Sequence, residues 1–334
     1  MPGLVCLTLL LGCSDTPLEL SGPRPMSIQG FTLADWSAFG YSNRHSDIAI
    51  RNLGELGVTD CAILITTYQS SPSTSQLRLN DARTPGRNSV ARALSEAHRQ
   101  GMEVTLKLHV DIDDGTWRAE IDPENPEAWF AAYETFVFTW AERAESWGVR
   151  QLIVGTELAG TLKHEQAWRD LIQGCRERFH GDLVYAASWD EAALVPFWDA
   201  LDFVGINTYF PVATRRDPGR LEIMEAWQPW LSRMQLLHEQ TDKQILVTEI
   251  GYRSIDGAGL HPYQFNTSGT LDLREQADLY WAALQVLAEP DWIEGVYWWN
   301  WLANGAGGPL NRDFTPFGKE AEQILRDAWT SPTP

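Results

Sequence analysis

The sequence predicts a single α/β domain folded as a closed (β/α)8 barrel, and three observations carry that expectation. Eight short apolar or β-branched runs alternate with longer amphipathic stretches from Ser27 onward, a pattern that calls for parallel strands joined by helical crossovers. The alternation continues to residue 330, a span that one barrel of this kind fills without a second domain. The rival architecture, an open doubly wound sheet, would place a glycine-rich phosphate loop after its first strand, and Gln29-Gly30-Phe31-Thr32 offers none.

The strands are expected at Ser27–Thr32, Asp60–Thr66, Glu103–Val110, Gln151–Gly155, Leu183–Ala187, Phe203–Thr208, Gln244–Thr248 and Gly295–Trp299. Helical patterns between them include Ser89–Gln100, Pro126–Trp147, Glu165–Phe179, Leu221–Glu239, Leu273–Ala288 and Lys319–Trp329. Boundary signals support several of these: Asn88-Ser89 and Gly101 bracket one helix, and Pro126 and Gly148 bracket the next.

Ahead of the barrel, Leu4–Leu11 is a short apolar run ending at Gly12-Cys13. This resembles a bacterial lipoprotein signal cleaved before Cys13, although Met1–Val5 lacks the usual basic residues; plain secretion is the other form of export it suggests. The expected organisation is a signal peptide at 1–12, a tether at 13–26 rich in Pro, Ser and Gly, and a catalytic barrel at 27–330. The mature chain would then be lipid-anchored at Cys13, or periplasmic or secreted.

Composition narrows the function. With 26 basic against 45 acidic residues the formal charge is −19, which argues against a nucleic-acid partner because phosphate binding needs clustered Lys and Arg. No apolar run reaches the length of a membrane-spanning helix, so the only expected membrane contact is the N-terminal lipid. Cys61 and Cys175 have no metal-ligand spacing and read as small buried residues. Of the 16 Trp, those in helical patterns (Trp129, Trp140, Trp147, Trp168, Trp227, Trp230 and Trp281) read as packing residues.

In a (β/α)8 barrel the C-terminal ends of the strands converge on one mouth. Here those ends supply Asp35-Trp36, Tyr68, His109 with Asp111, Glu157, Trp189-Asp190, Asn207 with Tyr209, Glu249, and Trp299 with Trp301. Aromatic rings stack on the apolar faces of sugars while carboxylates and amides bind hydroxyls, so the set suits a carbohydrate. Glu157 and Glu249 are lone acids at the ends of apolar strands four and seven, facing each other across the mouth. Two carboxyls flanking a glycosidic bond are what its hydrolysis requires, about 5–5.5 Å apart for retention and about 6.5–9.5 Å for inversion. A barrel salt bridge, for example to Arg253, is the alternative use of either acid.

The ordered segments KLHVDIDDGTWR at 107–118, VGTEL at 154–158, YAASWDE at 185–191, FWDALDFVGINTYFP at 197–211, VTEIGYRSIDGA at 247–258 and GVYWWNW at 295–301 resemble glycoside hydrolase family 113, the β-mannanase family of clan A. The resemblance implies a retaining glycosidase with Glu157 as acid/base and Glu249 as nucleophile. Many clan members carry Asn before the acid/base, whereas this chain has Thr156, the form associated with family 113. Asn207 and His109 are then the candidates for holding the sugar 2-hydroxyl.

On this reading Tyr209 is placed to hydrogen-bond Glu249, with Arg253 or His109 adding positive potential. Trp299 and Trp301 are the first candidates for sugar stacking, and Trp36 and Trp189 the next. Trp298 should face the helices when Trp299 faces the mouth. The run His109-x-Asp111-x-Asp113-Asp114 lacks a second ligand cluster, so no metal and no cofactor are expected. The expected partner is an oligo- or polysaccharide met by a monomeric chain. A transglycosylase on the same β-mannosides, or a catalytically silent surface sugar-binding lipoprotein, would use much of the same site.

Overall fold

The computed structural model describes residues 26–266 and 268–330. The expected signal peptide, Cys13 and the tether up to residue 25 lie outside the described residues. Eight parallel strands pair in sequence order and close on themselves: β1 (Ile28–Ala34), β2 (Asp60–Gln69), β3 (Glu103–Ile112), β4 (Gln151–Thr156), β5 (Asp182–Ser188), β6 (Phe203–Asn207), β7 (Ile245–Ile250) and β8 (Ile293–Leu302). The helices are α1 (Arg44–Glu55), α2 (Arg87–Arg99), α3 (Pro126–Trp147), α4 (Glu165–Arg176), α5 (Arg220–Thr241), α6 (Leu273–Ala288) and α7 (Glu320–Thr330).

Two apolar layers hold the barrel together. A small one, built from Ile28, Ala62, Ile153, Val184, Ala186, Leu246 and Tyr297, fills the interior. A much larger one lies between the strands and the helices and contains the fully buried Trp129, Trp168 and Trp227. Strands buried on both faces must be apolar nearly throughout, which explains why they stand out in the sequence. Gly30 belongs to the same logic, since a Cβ there would sit 2.4 Å from the Tyr297 ring.

Local chemistry sets the helix ends. Asn43 accepts from the amides of His45 and Ser46 to start α1, a helix beyond the patterns read from sequence. Asn125 caps α3, whose first residue is Pro126 and whose end is Gly148 at φ 65°. The expected cap at Asn88-Ser89 is corrected: α2 begins at Arg87 after Gly86, and the Ser89 hydroxyl instead accepts the Tyr41 amide.

One departure lies on β8. Phe31 of β1 pairs with Trp298, but Leu33 pairs with Trp301, so two steps on β1 oppose three on β8. This bulge returns Trp301 to the helix-facing side. Trp298 stacks on Tyr280 of α6 at 4.0 Å, as its expected outward direction requires. Trp301, expected at the mouth, is instead 1% exposed and packs between Phe31 and Phe317. Trp301→Ala should therefore act on stability, lowering it by about 3–5 kcal/mol as emptied core sites of this size do. Denaturant unfolding measures this, and a loss below about 1 kcal/mol would contradict the placement.

Candidate active site

The mouth is assembled from strand ends, with Glu157 following β4 and Glu249 lying within β7. Both residues are buried, at 8% and 4% exposure. Glu157 Oε1 accepts from Asn207 Nδ2 at 2.9 Å, while Oε2 accepts from Trp117 Nε1 and an Arg118 guanidinium nitrogen, each at 3.2 Å. Asn207 is fixed in turn, because its Oδ1 accepts from the Thr248 hydroxyl at 2.8 Å. Glu249 Oε2 accepts from the Tyr209 hydroxyl at 2.7 Å, and Oε1 lies 2.8 Å from the Lys107 ammonium and 3.6 Å from His109 Nε2. Lys107 also donates to the Thr248 carbonyl.

These partners tune the two carboxyls in opposite directions. For Glu249, burial raises the pKa, but the Lys107 charge, followed by His109, outweighs it and holds the group well below the usual carboxylate range. For Glu157, burial and then the Glu249 charge raise the pKa above its ordinary value, against the opposing effects of Arg118, Asn207 and Trp117. The Glu249 charge thus reaches Glu157 within one electrostatic environment. Burial, followed by the Arg118 charge, pushes His109 down to about 4, so its ring is neutral near pH 7.

The aromatic residues divide. Trp299 stacks parallel to His109 at 6.0 Å and meets Trp36 edge-on at 6.2 Å, and Trp36 is 39% exposed. Trp189 packs in a cluster with Trp230, Phe210 and Tyr263. The Arg253 guanidinium lies 3.7 Å from Asp313, and beside Glu249, where positive potential from Arg253 or His109 is expected, the ammonium of Lys107 lies at 2.8 Å. Thr156 donates to the Leu108 carbonyl, which turns its hydroxyl into the barrel wall. Asp111 pairs with Arg118 at 2.5 Å, and Asp113 pairs with Arg78 and Arg83, so these carboxylates are engaged by arginines.

Three residues of this constellation went unassigned in the sequence. Lys107 alternates with His109 and Asp111 along β3, and that period of two was its available signal. Trp117 and Arg118 arrive from the loop after β3, whose path no periodicity encodes. Trp117 is 44% exposed although its indole nitrogen touches Glu157.

The family model described as Glycoside Hydrolase Family 113 matches residues 31–319. No curated protein matches the chain in sequence. Among solved structures, the GH113 β-mannanase AaManA from Alicyclobacillus acidocaldarius, in complex with ManMIm, is 25% identical, with 93% of this chain and 98% of that one covered at a TM-score of 0.82. A structure of a GH113 β-1,4-mannanase is also 25% identical, over 92% of this chain and 100% of the other, at 0.84. A complex of a GH113 β-1,4-mannanase, 24% identical, covers 94% of this chain and 100% of its own and shares the fold at 0.84. A closed barrel, a pair of buried acids at its mouth and a family match across nearly the whole barrel agree, and the chain belongs to glycoside hydrolase family 113.

Proposed function

We propose that this glycosidase cleaves β-mannan or manno-oligosaccharides with retention of anomeric configuration, Glu249 acting as nucleophile and Glu157 as acid/base. The observation that carries the reading is a pair of buried carboxyls whose unlike partners tune them in opposite directions. Glu249 meets an ammonium and a phenol, and Glu157 an amide, an indole and a guanidinium. The neighbours described as a β-1,4-mannanase and a β-mannanase support the substrate class, and the exposed ring of Trp36 beside Trp299 supplies apolar surface for a pyranose.

In the first step a Glu249 oxygen attacks the anomeric carbon as the glycosidic C–O bond breaks, and Glu157 gives its proton to the departing oxygen. Glu249 is then an ester without charge. Because the Glu249 charge helps raise Glu157, its loss lowers the Glu157 pKa just when that residue must accept a proton. In the second step Glu157 takes a proton from water, the oxygen attacks the anomeric carbon, and Glu249 leaves as carboxylate. Asn207 orients Glu157 throughout, and Lys107 and Tyr209 stabilise the carboxylate form of Glu249.

Proton NMR of a manno-oligosaccharide digest tests stereochemistry and substrate together. Shorter chains should appear with the new reducing end first as the β anomer, the α form growing later by mutarotation. First appearance of the α anomer would reject the double displacement, and unchanged chains would reject the substrate.

A further inference from the structure

Behind Glu157 lies a buried side-chain relay with no part in the chemistry above. Glu157 has φ 53°, in the left-handed region that a non-glycine residue occupies only when its surroundings hold it there. The holding groups come from β5. The Glu157 amide donates to the Ala186 carbonyl at 2.9 Å, and the next amide, of Leu158, donates to the Tyr185 hydroxyl at 2.8 Å. That hydroxyl donates its own proton to Glu191 Oε1 at 3.0 Å. Tyr185 is fully buried and Glu191 is 3% exposed, and Glu191 Oε2 has no hydrogen-bond partner among the described residues.

A buried carboxylate with one oxygen unpaired is costly, and a neutral carboxyl in the same place costs much less. Burial, followed by the nearby Glu157 charge and more weakly by Asp190, raises the Glu191 pKa to about 8, against hydrogen bonding from Tyr185 and the Ser188 backbone contact. Glu191 thus remains an acceptor for Tyr185 without adding a charge behind Glu157.

We propose that Glu191 is a positioning residue for Glu157: by accepting the Tyr185 hydroxyl proton it leaves that oxygen's lone pairs aimed at the Leu158 amide, fixing the left-handed peptide that points Glu157 at the glycosidic oxygen. This rests on the acid/base role proposed for Glu157. A misaimed acid penalises substrates whose leaving group needs a proton and spares those whose leaving group does not. A merely structural role would penalise both alike.

The test compares kcat/KM, which reports bond cleavage, for a manno-oligosaccharide and for a 2,4-dinitrophenyl manno-oligosaccharide glycoside. Glu191→Ala and Tyr185→Phe should each lose about tenfold or more on the first substrate and no more than about twofold on the second. Glu191→Gln, whose amide oxygen accepts the same proton, should recover most of the Glu191→Ala loss. Tyr185→Phe keeps the ring packed against Trp168 and Phe197, so the test survives if Glu191→Ala does not fold. Equal losses on both substrates, no loss on the oligosaccharide, or a glutamine variant as impaired as the alanine one would each overturn the proposal. Glu157→Ala measured alongside separates the two failures. If it cleaves the oligosaccharide normally, the acid/base reading itself is wrong. If it shows the selective loss while the relay variants do not, only the relay proposal falls.

Discussion

Glu249→Gln is expected to lower kcat on manno-oligosaccharides by at least about 10^4-fold, equivalent to about 5.4 kcal/mol of transition-state stabilisation. The amide cannot form the glycosyl ester, and although it has the same shape, an oxygen kept on the Tyr209 hydroxyl turns its NH2 toward the Lys107 ammonium. Glu249→Ala should be as inactive and less stable still, because both variants remove the ionic partner 2.8 Å from the fully buried Lys107 ammonium and alanine also leaves a cavity. Breaking a buried pair from one side typically costs about 3–5 kcal/mol. Initial rates with circular-dichroism melts separate the two effects, and wild-type turnover in either variant would refute the nucleophile assignment.

The second large effect is on Glu157. Glu157→Ala should reduce kcat/KM for manno-oligosaccharides by about 10^2–10^4-fold, the usual range for removing a general acid. Its pH profile carries the sign. In the proposed mechanism Glu157 works protonated, and burial with the Glu249 charge raises its pKa, so in the wild type activity should fall on the alkaline side as that proton leaves. In Glu157→Ala with an activated aryl glycoside, that alkaline limb should disappear. Added azide should accelerate release of the glycosyl-enzyme and yield a β-glycosyl azide, because a small anion needs no base to attack. A persistent alkaline limb, or an α-configured azide, would count against the role.

The strands were legible because a parallel barrel buries them on both faces, leaving apolar runs such as Leu152–Val154 and Ile245–Val247 between polar loops. Helix α1 was less visible, since only Ser46, Ala49, Ile50 and Leu53 of its 12 residues are buried and its apolar stripe is correspondingly thin. The strand-end rule located Glu157, Asn207, Tyr209, Glu249, His109 and Trp299 together, since all follow from counting along apolar runs. It failed for Trp301 because a bulge adds one residue to β8 opposite β1, a register event that a single strand's pattern does not encode. Arg118 and Trp117 were hidden by their loop, and the Glu191–Tyr185 link by a contact that runs through side-chain oxygens instead of backbone spacing.

The extra residue on β8 also divides the work of neighbouring tryptophans. Trp299 stands beside His109 and Trp36, whereas Trp298 and Trp301 are locked among Tyr280, Phe31 and Phe317. Two residues apart in the chain, Trp299 and Trp301 meet separate physical demands, one beside the mouth and the other inside the core. On the proposed function, a change at Trp299 reshapes the sugar-facing rim without emptying the core, whereas a change at Trp301 empties the core without touching the rim.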